Sequence, residues 1–215
     1  MRRSKLVLAP LLVGVLLASC SRGAPAVPAM KIAEVRAAPL GSPVTVEGIV
    51  SVRSGVIDAG FAIADGEVGI HVGADGTTRY AVGDRVRVAG NRAEVHQMAS
   101  VSPTRVERMG KGTPPPPIAV RTGEVNEATE GKLVRVSGRA MTPIIRDLPY
   151  GYKLWMDDGS GKVQLFLSAS AGDFGLDRLL VNSTITAVGY SAQYGDAYEV
   201  LPASPADVQA SGGLR

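Results

Sequence analysis

Few side chains in this sequence could perform acid–base or metal chemistry. It has two histidines, His71 and His96, and a single cysteine, Cys20. A catalytic site needs a nucleophile beside a base, or a cluster of metal ligands. Neither histidine has another histidine or a cysteine at the spacing of a zinc site. We therefore expect both imidazoles to be solvated, His71 on the outer side of a strand and His96 in a loop, and predict no cofactor, no metal site and no enzymatic activity.

The adjacent carboxylates Asp157 and Asp158 are the second candidate for chemistry. They precede Gly159 and could act as an acid and a base, or as calcium ligands. No further acidic residues follow at the spacing of a calcium loop, whereas Asp and Gly are favoured in tight turns. A hairpin turn is therefore the predicted role of these residues.

Cys20 lies where a covalent modification is expected. A basic start with Arg2, Arg3 and Lys5 precedes an apolar run of about thirteen residues and then two small residues. This is the layout of a signal peptide, and the run is shorter than the roughly twenty residues of a membrane-spanning helix. A lone thiol would also have no intramolecular disulfide partner in an oxidising compartment.

The segment Leu17-Ala18-Ser19-Cys20 resembles the lipobox of bacterial lipoproteins. The resemblance implies that residues 1–19 are removed and that the Cys20 thiol carries a lipid anchor in the cell envelope. Ser21 is similar to the sorting pattern for the outer membrane, where the protein would face the periplasm or the cell surface. An ordinary secretory signal with Cys20 merely nearby is the alternative.

The net charge of the protein depends on removal of the signal. The full chain carries 23 basic and 20 acidic residues, and loss of Arg2, Arg3 and Lys5 leaves 20 of each. A phosphate-binding surface would then have to be a local patch of basic residues. Frequent glycine and proline, few aromatics and alternating apolar residues favour an all-β fold.

The chain contains an internal duplication. At a constant offset of 90 positions, residues 34–48 match residues 124–138 at seven of fifteen positions, and Asp65-Gly66 later matches Asp158-Gly159. Such a repeat indicates two copies of one structural unit. The predicted divisions are a signal peptide (1–19), a lipidated tether (20–30), a first domain (31–110), a proline-rich linker (111–117), a second domain (118–209) and a tail (210–215).

Each copy is predicted to contain five short strands. They span residues 43–52, 61–64, 68–72, 85–90 and 99–109, and then 132–141, 152–157, 162–168, 183–190 and 198–201. A short irregular or helical connection is expected near 77–81 and a helix near 173–180. In each copy an Asp-Gly turn joins the second and third strands into a hairpin.

This order of elements resembles the OB-fold, a small closed barrel of five strands. Residues 122–138 are similar to the openings of OB domains in bacterial secreted and surface proteins, including some extracellular nucleases. The resemblance covers residues 31–209. It implies an all-β chain with two tandem five-stranded barrels, of the kind that binds oligonucleotides or oligosaccharides on the outer face of strands 2 and 3.

Strand alternation assigns this outer face in the second copy, because residues two apart point to the same side. The residues predicted to point inward are Val134, Val136, Leu154, Met156, Val163, Leu165 and Leu167. The predicted ligand-binding face consists of Arg135, Arg139, Lys153, Trp155, Gln164 and Phe166. The matching first-copy positions offer neither aromatic rings nor lysine or arginine; they are Thr45, Glu47, Ala62, Ala64, Gly69 and His71.

Three functions stay open at this point. Aromatic rings beside cations suit single-stranded nucleic acid, because bases stack on the rings and cations neutralise the backbone. The second copy is nevertheless slightly acidic, with eight basic and eleven acidic residues. An envelope adaptor with Trp155 and Phe166 in a protein interface, or an oligosaccharide-binding protein, are the alternatives. Tyr150, Tyr152, Tyr190 and Tyr194 either extend the binding rim or pack in the interior.

Overall fold

A computed structural model describes residues 28–66 and 68–212. Its regular elements are α1 (Ile32–Ala37), β1 (Pro43–Ile57), β2 (Gly60–Asp65), β3 (Val68–Val72), β4 (Asp84–Val95), β5 (Met98–Lys111), β6 (Ile118–Ala119), β7 (Leu133–Ala140), β8 (Ile145–Asp147), β9 (Gly151–Asp157), β10 (Lys162–Ser168), β11 (Thr184–Tyr194), β12 (Ala197–Leu201) and β13 (Val208–Ser211). Within these ranges no helix has the length and apolar character needed to cross a bilayer. The predicted signal peptide and the lipidation site Cys20 lie outside the described residues.

The strands close into two barrels of one topology. In barrel 1 the order around the barrel is β1, β2, β3, β5, β4, with β3 and β5 parallel and the other neighbours antiparallel. In barrel 2 the same order is made by β7, β9, β10, β12 and β11, again with one parallel pair, β10 and β12. The prediction of an all-β chain with two tandem five-stranded OB-like barrels is confirmed.

Side-chain alternation fills each barrel with aliphatic residues. Every residue predicted to point inward in the second copy is at most 1 % exposed, and an equivalent cluster fills barrel 1. Burial of one such side chain contributes about 1.5–3 kcal/mol. A one-residue slip in register would exchange the two faces of a strand, so the filled interior also determines which side chains point outward.

Several boundaries differ from the prediction. β1 extends to Ile57 and β4 to Val95, so two hairpins reach well beyond barrel 1. Residues 77–81 form an irregular connection, which is one of the two forms predicted, whereas the expected helix near 173–180 is a single 3-10 turn at Leu176–Arg178. The six-residue helix α1 is too short to produce a readable helical period in the sequence.

The aspartates of the two matched turns have the same structural role. The Asp65 carboxylate accepts a hydrogen bond from the amide of Ile32, at the start of α1 (2.9 Å). The Asp158 carboxylate accepts from the amide and hydroxyl of Thr122, at the start of a 3-10 turn (3.4 and 2.9 Å). Hydrogen bonds from Ser160 and Thr122 hold the pKa of Asp158 well below its ordinary value. These carboxylates therefore tie the segment preceding each barrel to its hairpin turn.

A third hydrophobic cluster lies between the barrels. Barrel 1 contributes Val52, Val56, Ile57, Ala62 and Met98, and the chain from barrel 2 onward contributes Tyr190, Ala192 and Leu201, with Leu133, Phe166 and Ala203 packed against them. The outer face of β2 and β3 is therefore covered. Its small side chains are what allow the close approach: a Cβ atom at Gly69 would overlap the carbonyl of Gly131.

This docking explains why the prediction for His71 is wrong. The imidazole is 1 % exposed rather than solvated, and its cross-strand partner Ala62 belongs to the cluster between the barrels. Nδ1 lies 2.8 Å from the Ser100 hydroxyl and Nε2 lies 3.3 Å from the Ile57 carbonyl. Burial lowers the pKa of His71, so this side chain is a satisfied core residue.

Ion pairs connect the two copies at one edge of the interface between the barrels. The guanidinium of Arg36 contacts the carboxylates of Glu127 (3.3 Å) and Glu130 (3.1 Å), across the boundary between the two copies. Glu130 is buried and also accepts a hydrogen bond from the amide of Ala99 (3.0 Å). On the other side, the Arg53 guanidinium donates to the Ala203 carbonyl (3.3 Å). The two barrels are thus joined by buried polar contacts as well as by apolar packing.

Candidate ligand-binding face and inter-barrel cleft

The outer face of β9 and β10 brings together four of the six predicted site residues. Trp155 pairs with Gln164 across the two strands, and Lys153 pairs with Phe166. Directly opposed residues in an antiparallel pair have Cβ atoms about 4.5–5.5 Å apart, and all four side chains are partly exposed. They form one contiguous strip, which we call the β9–β10 face.

Trp155 points away from the barrel interior, but its ring is partly covered. The ammonium of Lys162 lies over the indole, 4.7 Å from the ring centroid. Such a cation–π contact contributes about 0.5–1 kcal/mol at an exposed site, so the indole is held in place while part of it stays accessible. Lys162 is absent from the predicted set, although the alternation that turns Gln164 outward also applies to it.

Phe166 is less open than the sequence predicts. It points outward from barrel 2, but packs against the hydrophobic cluster between the barrels. Beside it, the Lys153 ammonium forms an ion pair with Asp147 (3.0 Å). Of the two aromatic side chains in the predicted set, Trp155 lies clear of the interface, whereas Phe166 packs against the cluster between the barrels.

Arg135 and Arg139 are exposed on β7, away from the interface. Arg139 pairs with Asp157 of β9, next to the β9–β10 face, and Arg135 lies four residues earlier, or about 13 Å along the strand. Neither guanidinium makes a hydrogen bond or ion pair with the rest of residues 28–66 and 68–212. Both are available to an external anion.

The β9–β10 face continues into a cleft between the two barrels. Its volume is about 740 Å³, within the range of about 300–1,000 Å³ that is usual for ligand pockets. Barrel 2 lines it with Lys153, Gln164, Phe166 and Glu199, and the hairpins of barrel 1 add Asp58 and His96. Three of the six predicted residues therefore border this cleft.

Glu199 is the cleft residue that sequence reasoning missed. It is only 6 % exposed, and one carboxyl oxygen, Oε2, accepts a 2.7 Å hydrogen bond from the side-chain amide of Gln164. Burial raises the pKa of Glu199 to about 7. The two residues meet because β10 and β12 pair in parallel. This pairing joins strands that are distant in the sequence, so no local sequence pattern predicts it.

Two strained turns border the cleft. The β1–β2 turn has Asp58 at φ 43° and Ala59 at φ 60°, and the β4–β5 turn has His96 at φ 52° and Gln97 at φ 73°. Left-handed backbone costs about 1–2 kcal/mol for a residue other than glycine, and such strain is concentrated at functional sites. The turns hold the Asp58 and His96 side chains at the opening of the cleft.

The four tyrosines divide between rim and interior. Tyr194 is exposed and packs on His96 with ring centroids 4.3 Å apart, and Tyr150, which also lines the cleft, is 70 % exposed. Tyr152 packs against the core of barrel 2. Tyr190 is fully buried between the barrels, which raises its pKa far above the ordinary value. Within the described ranges, no three His, Cys, Asp or Glu side chains are grouped to hold a metal ion.

Comparison with known proteins leaves the family open. No family model matches the chain, and no curated protein matches it. Solved structures similar to it include a murine DNA-binding protein bound to double-stranded DNA (10 % identity, TM-score 0.39, 81 % of this chain and 98 % of that chain), the p204 HINb domain (9 %, 0.37, 80 % and 98 %) and the Ifi202 HINa domain with 20 bp double-stranded DNA (7 %, 0.35, 80 % and 96 %). Similarities at TM-scores below 0.5 carry no argument about the ligand of this chain.

Proposed function

We propose that this chain is a non-catalytic, lipid-anchored protein of the cell envelope that binds single-stranded nucleic acid through barrel 2. The observation that carries the proposal is an outward tryptophan, Trp155, on the β9–β10 face beside exposed cations. Lys162 lies over its ring, and Arg139 and Arg135 follow on the neighbouring strand without internal partners.

The energetics of this arrangement suit a single strand. Stacking of one base on an aromatic ring is worth about 1–3 kcal/mol and tolerates any base. Contacts from Arg135 and Arg139 to phosphates would break no ion pair within the described residues, so little of their electrostatic gain is lost. Three phosphate contacts, including Lys162, predict a slope near −2 when the logarithm of affinity is plotted against the logarithm of salt concentration.

Anisotropy of fluorescein-labelled oligonucleotides at low salt tests the proposal on the lipid-free chain. We expect saturable binding that weakens about tenfold or more in Trp155→Ala, because a stacked base loses its support. Arg135→Ala combined with Arg139→Ala should lower the salt slope by roughly 1.4. Arg105→Ala, which removes an exposed guanidinium on barrel 1, is the matched control. Absence of saturable binding, or binding that none of the variants changes, contradicts the proposal.

The lipid anchor is tested separately from the ligand. In a bacterial host that expresses the chain, Cys20→Ser should move the protein from the membrane fraction to the soluble fraction, since lipidation requires the thiol. Mass spectrometry of the membrane-bound protein should find residue 20 as a lipid-modified N-terminus. An unmodified N-terminus, or membrane association unaffected by the substitution, contradicts this part of the proposal.

The envelope adaptor is the second candidate function, and one observation favours it. The connection from β7 to β9 exposes a group of large apolar side chains, namely Met141, Ile145, Leu148 and Tyr150. Exposed apolar patches often mark protein interaction sites. This patch borders the β9–β10 face but does not include Trp155, so partner binding and nucleic-acid binding can be separated by mutation.

A further inference from the structure

We infer that the inter-barrel cleft is a pocket for a nucleobase with an exocyclic amino group, recognised by Glu199 and Gln164 beside Phe166. The inference rests on the proposed function and identifies which part of the nucleic acid enters the cleft.

The cleft and the β9–β10 face are parts of one surface. Gln164 is the cross-strand partner of Trp155 on one side and of Glu199 on the other. Neighbouring strands are about 4.7–4.9 Å apart, so the Glu199 position lies about 10 Å from the Trp155 position across the sheet. A strand that stacks one base on Trp155 can therefore place a neighbouring base in the cleft.

The cleft is lined by both acidic and basic side chains. Glu199, Asp58 and Asp147 line it together with Arg79, Lys153 and His96; Asp147 is paired with Lys153, and Asp58 lies 3.8 Å from His96. Carboxylates repel a phosphodiester, but they accept hydrogen bonds from the amino groups on base edges. The carboxyl groups of the cleft can thus accept hydrogen bonds from a base, while the cations of the cleft and of the outer face contact phosphates.

The Gln164–Glu199 pair presents two acceptors. The amide NH₂ of Gln164 donates to Oε2 of Glu199, which leaves the Gln164 carbonyl oxygen available. The Oε1 atom of Glu199 likewise has no partner within residues 28–66 and 68–212. These acceptors can accept hydrogen bonds from the exocyclic amino group of cytosine, adenine or guanine. Thymine offers mainly acceptors and has no exocyclic amine.

The state of Glu199 supports this reading. Oε1 of Glu199 is accessible from the cleft, whereas burial of the rest of the side chain raises the pKa of Glu199 to about 7. A bound amino group that donates to Oε1 would favour the ionised carboxylate. Phe166, half-buried at the adjacent wall, offers an apolar surface for the base.

Homopolymers separate the inference from the proposed function. We would measure binding of labelled oligo-dC, oligo-dA and oligo-dT, each about 12 nucleotides long to fit the site size of OB folds, by anisotropy at low salt. The expected result is that oligo-dC or oligo-dA binds about tenfold more tightly than oligo-dT. Glu199→Gln should remove that preference by lowering the affinity for oligo-dC or oligo-dA about tenfold, and Glu94→Gln, at an exposed position on β4, is the matched control.

A second variant tests the inference even if Glu199→Gln fails to fold. Gln164→Leu removes one acceptor and keeps Glu199, and should also reduce the preference; thermal melting confirms that each variant is folded. Equal binding of all three oligonucleotides, or a preference that both variants retain, overturns the inference alone. If none of the oligonucleotides binds, the proposed function fails as well. Saturable binding of chitohexaose that Glu199→Gln abolishes would assign the cleft to a sugar and overturn the inference.

Discussion

At the scale of single residues, the described chain contains two buried carboxyl groups whose environment disfavours the charged form. Glu199 is covered by the interface and faces Asp58, Asp147 and Lys153. Glu130 is buried beside Arg36, and burial raises its pKa as well. The outer-face residues Arg135, Arg139 and Trp155 follow from alternation in the sequence, whereas the burial of Glu199 depends on parts of the chain that are distant from it.

The raised pKa of Glu199 makes folding stability depend on pH. Between the ordinary value of 4.5 and about 7 the folded state binds a proton that the unfolded state has lost. The stabilisation is complete below about pH 4.5 and is lost as pH rises through 7, by an amount on the order of 3 kcal/mol. Urea unfolding at several pH values should show a smaller decrease across this range in Glu199→Gln than in the wild type. Parallel pH profiles for the two proteins would contradict the assignment.

At the scale of elements, the hairpins of barrel 1 extend past the barrel and end in strained turns. Asp58 and Ala59 of the β1–β2 turn both adopt positive φ without a glycine. The sequence pattern of a hairpin turn is usually Asn-Gly or Asp-Gly, so Asp58-Ala59 is not recognisable as one. Asp65-Gly66 and Asp158-Gly159, which follow the pattern, are predicted correctly.

Relief of this strain should stabilise the protein. Ala59→Gly removes a Cβ atom from a residue at φ 60°, and we expect the free energy of unfolding to rise by roughly 0.5–1 kcal/mol, because the strain relieved exceeds the added entropy of the unfolded chain. Ala93→Gly, in the part of β4 that pairs with β5 in continuous register, should lower it by a similar amount. Urea unfolding measures both, and a loss of stability in Ala59→Gly would show that the turn is not strained.

At the scale of the whole molecule, the two barrels expose different surfaces although they share one topology, because barrel 2 covers one outer face of barrel 1. The outer face of β2 and β3 in barrel 1 carries Ala62, Gly69 and His71 and is buried against barrel 2. On the corresponding face of barrel 2, Trp155 stays partly exposed, whereas Phe166 packs against the cluster between the barrels. The duplication is visible in the sequence, but the burial of the outer face of β2 and β3 against barrel 2 is not.

The close approach at Gly69 provides a test of this docking. Gly69→Ala would push a methyl group into the Gly131 carbonyl, and we expect a loss of about 2 kcal/mol or more, since backbone cannot yield as a side chain does. Gly73→Ala, at the end of β3, meets only ordinary contacts and is the control. Urea unfolding of the wild type should be one transition, whereas two transitions in Gly69→Ala would indicate that the barrels have separated. Equal stability of the two variants would contradict the docking.

The sequence alone determined the fold class, the repeat and the direction of the side chains on β7, β9 and β10 of barrel 2. These follow from local rules, because alternation has a period of two along one strand and the turn residues act on their immediate neighbours. Only the tertiary structure decided which outward residues are accessible. It buried His71, placed Phe166 in the interface and brought Glu199 to Gln164, since coverage and strand closure depend on contacts between residues far apart in the chain.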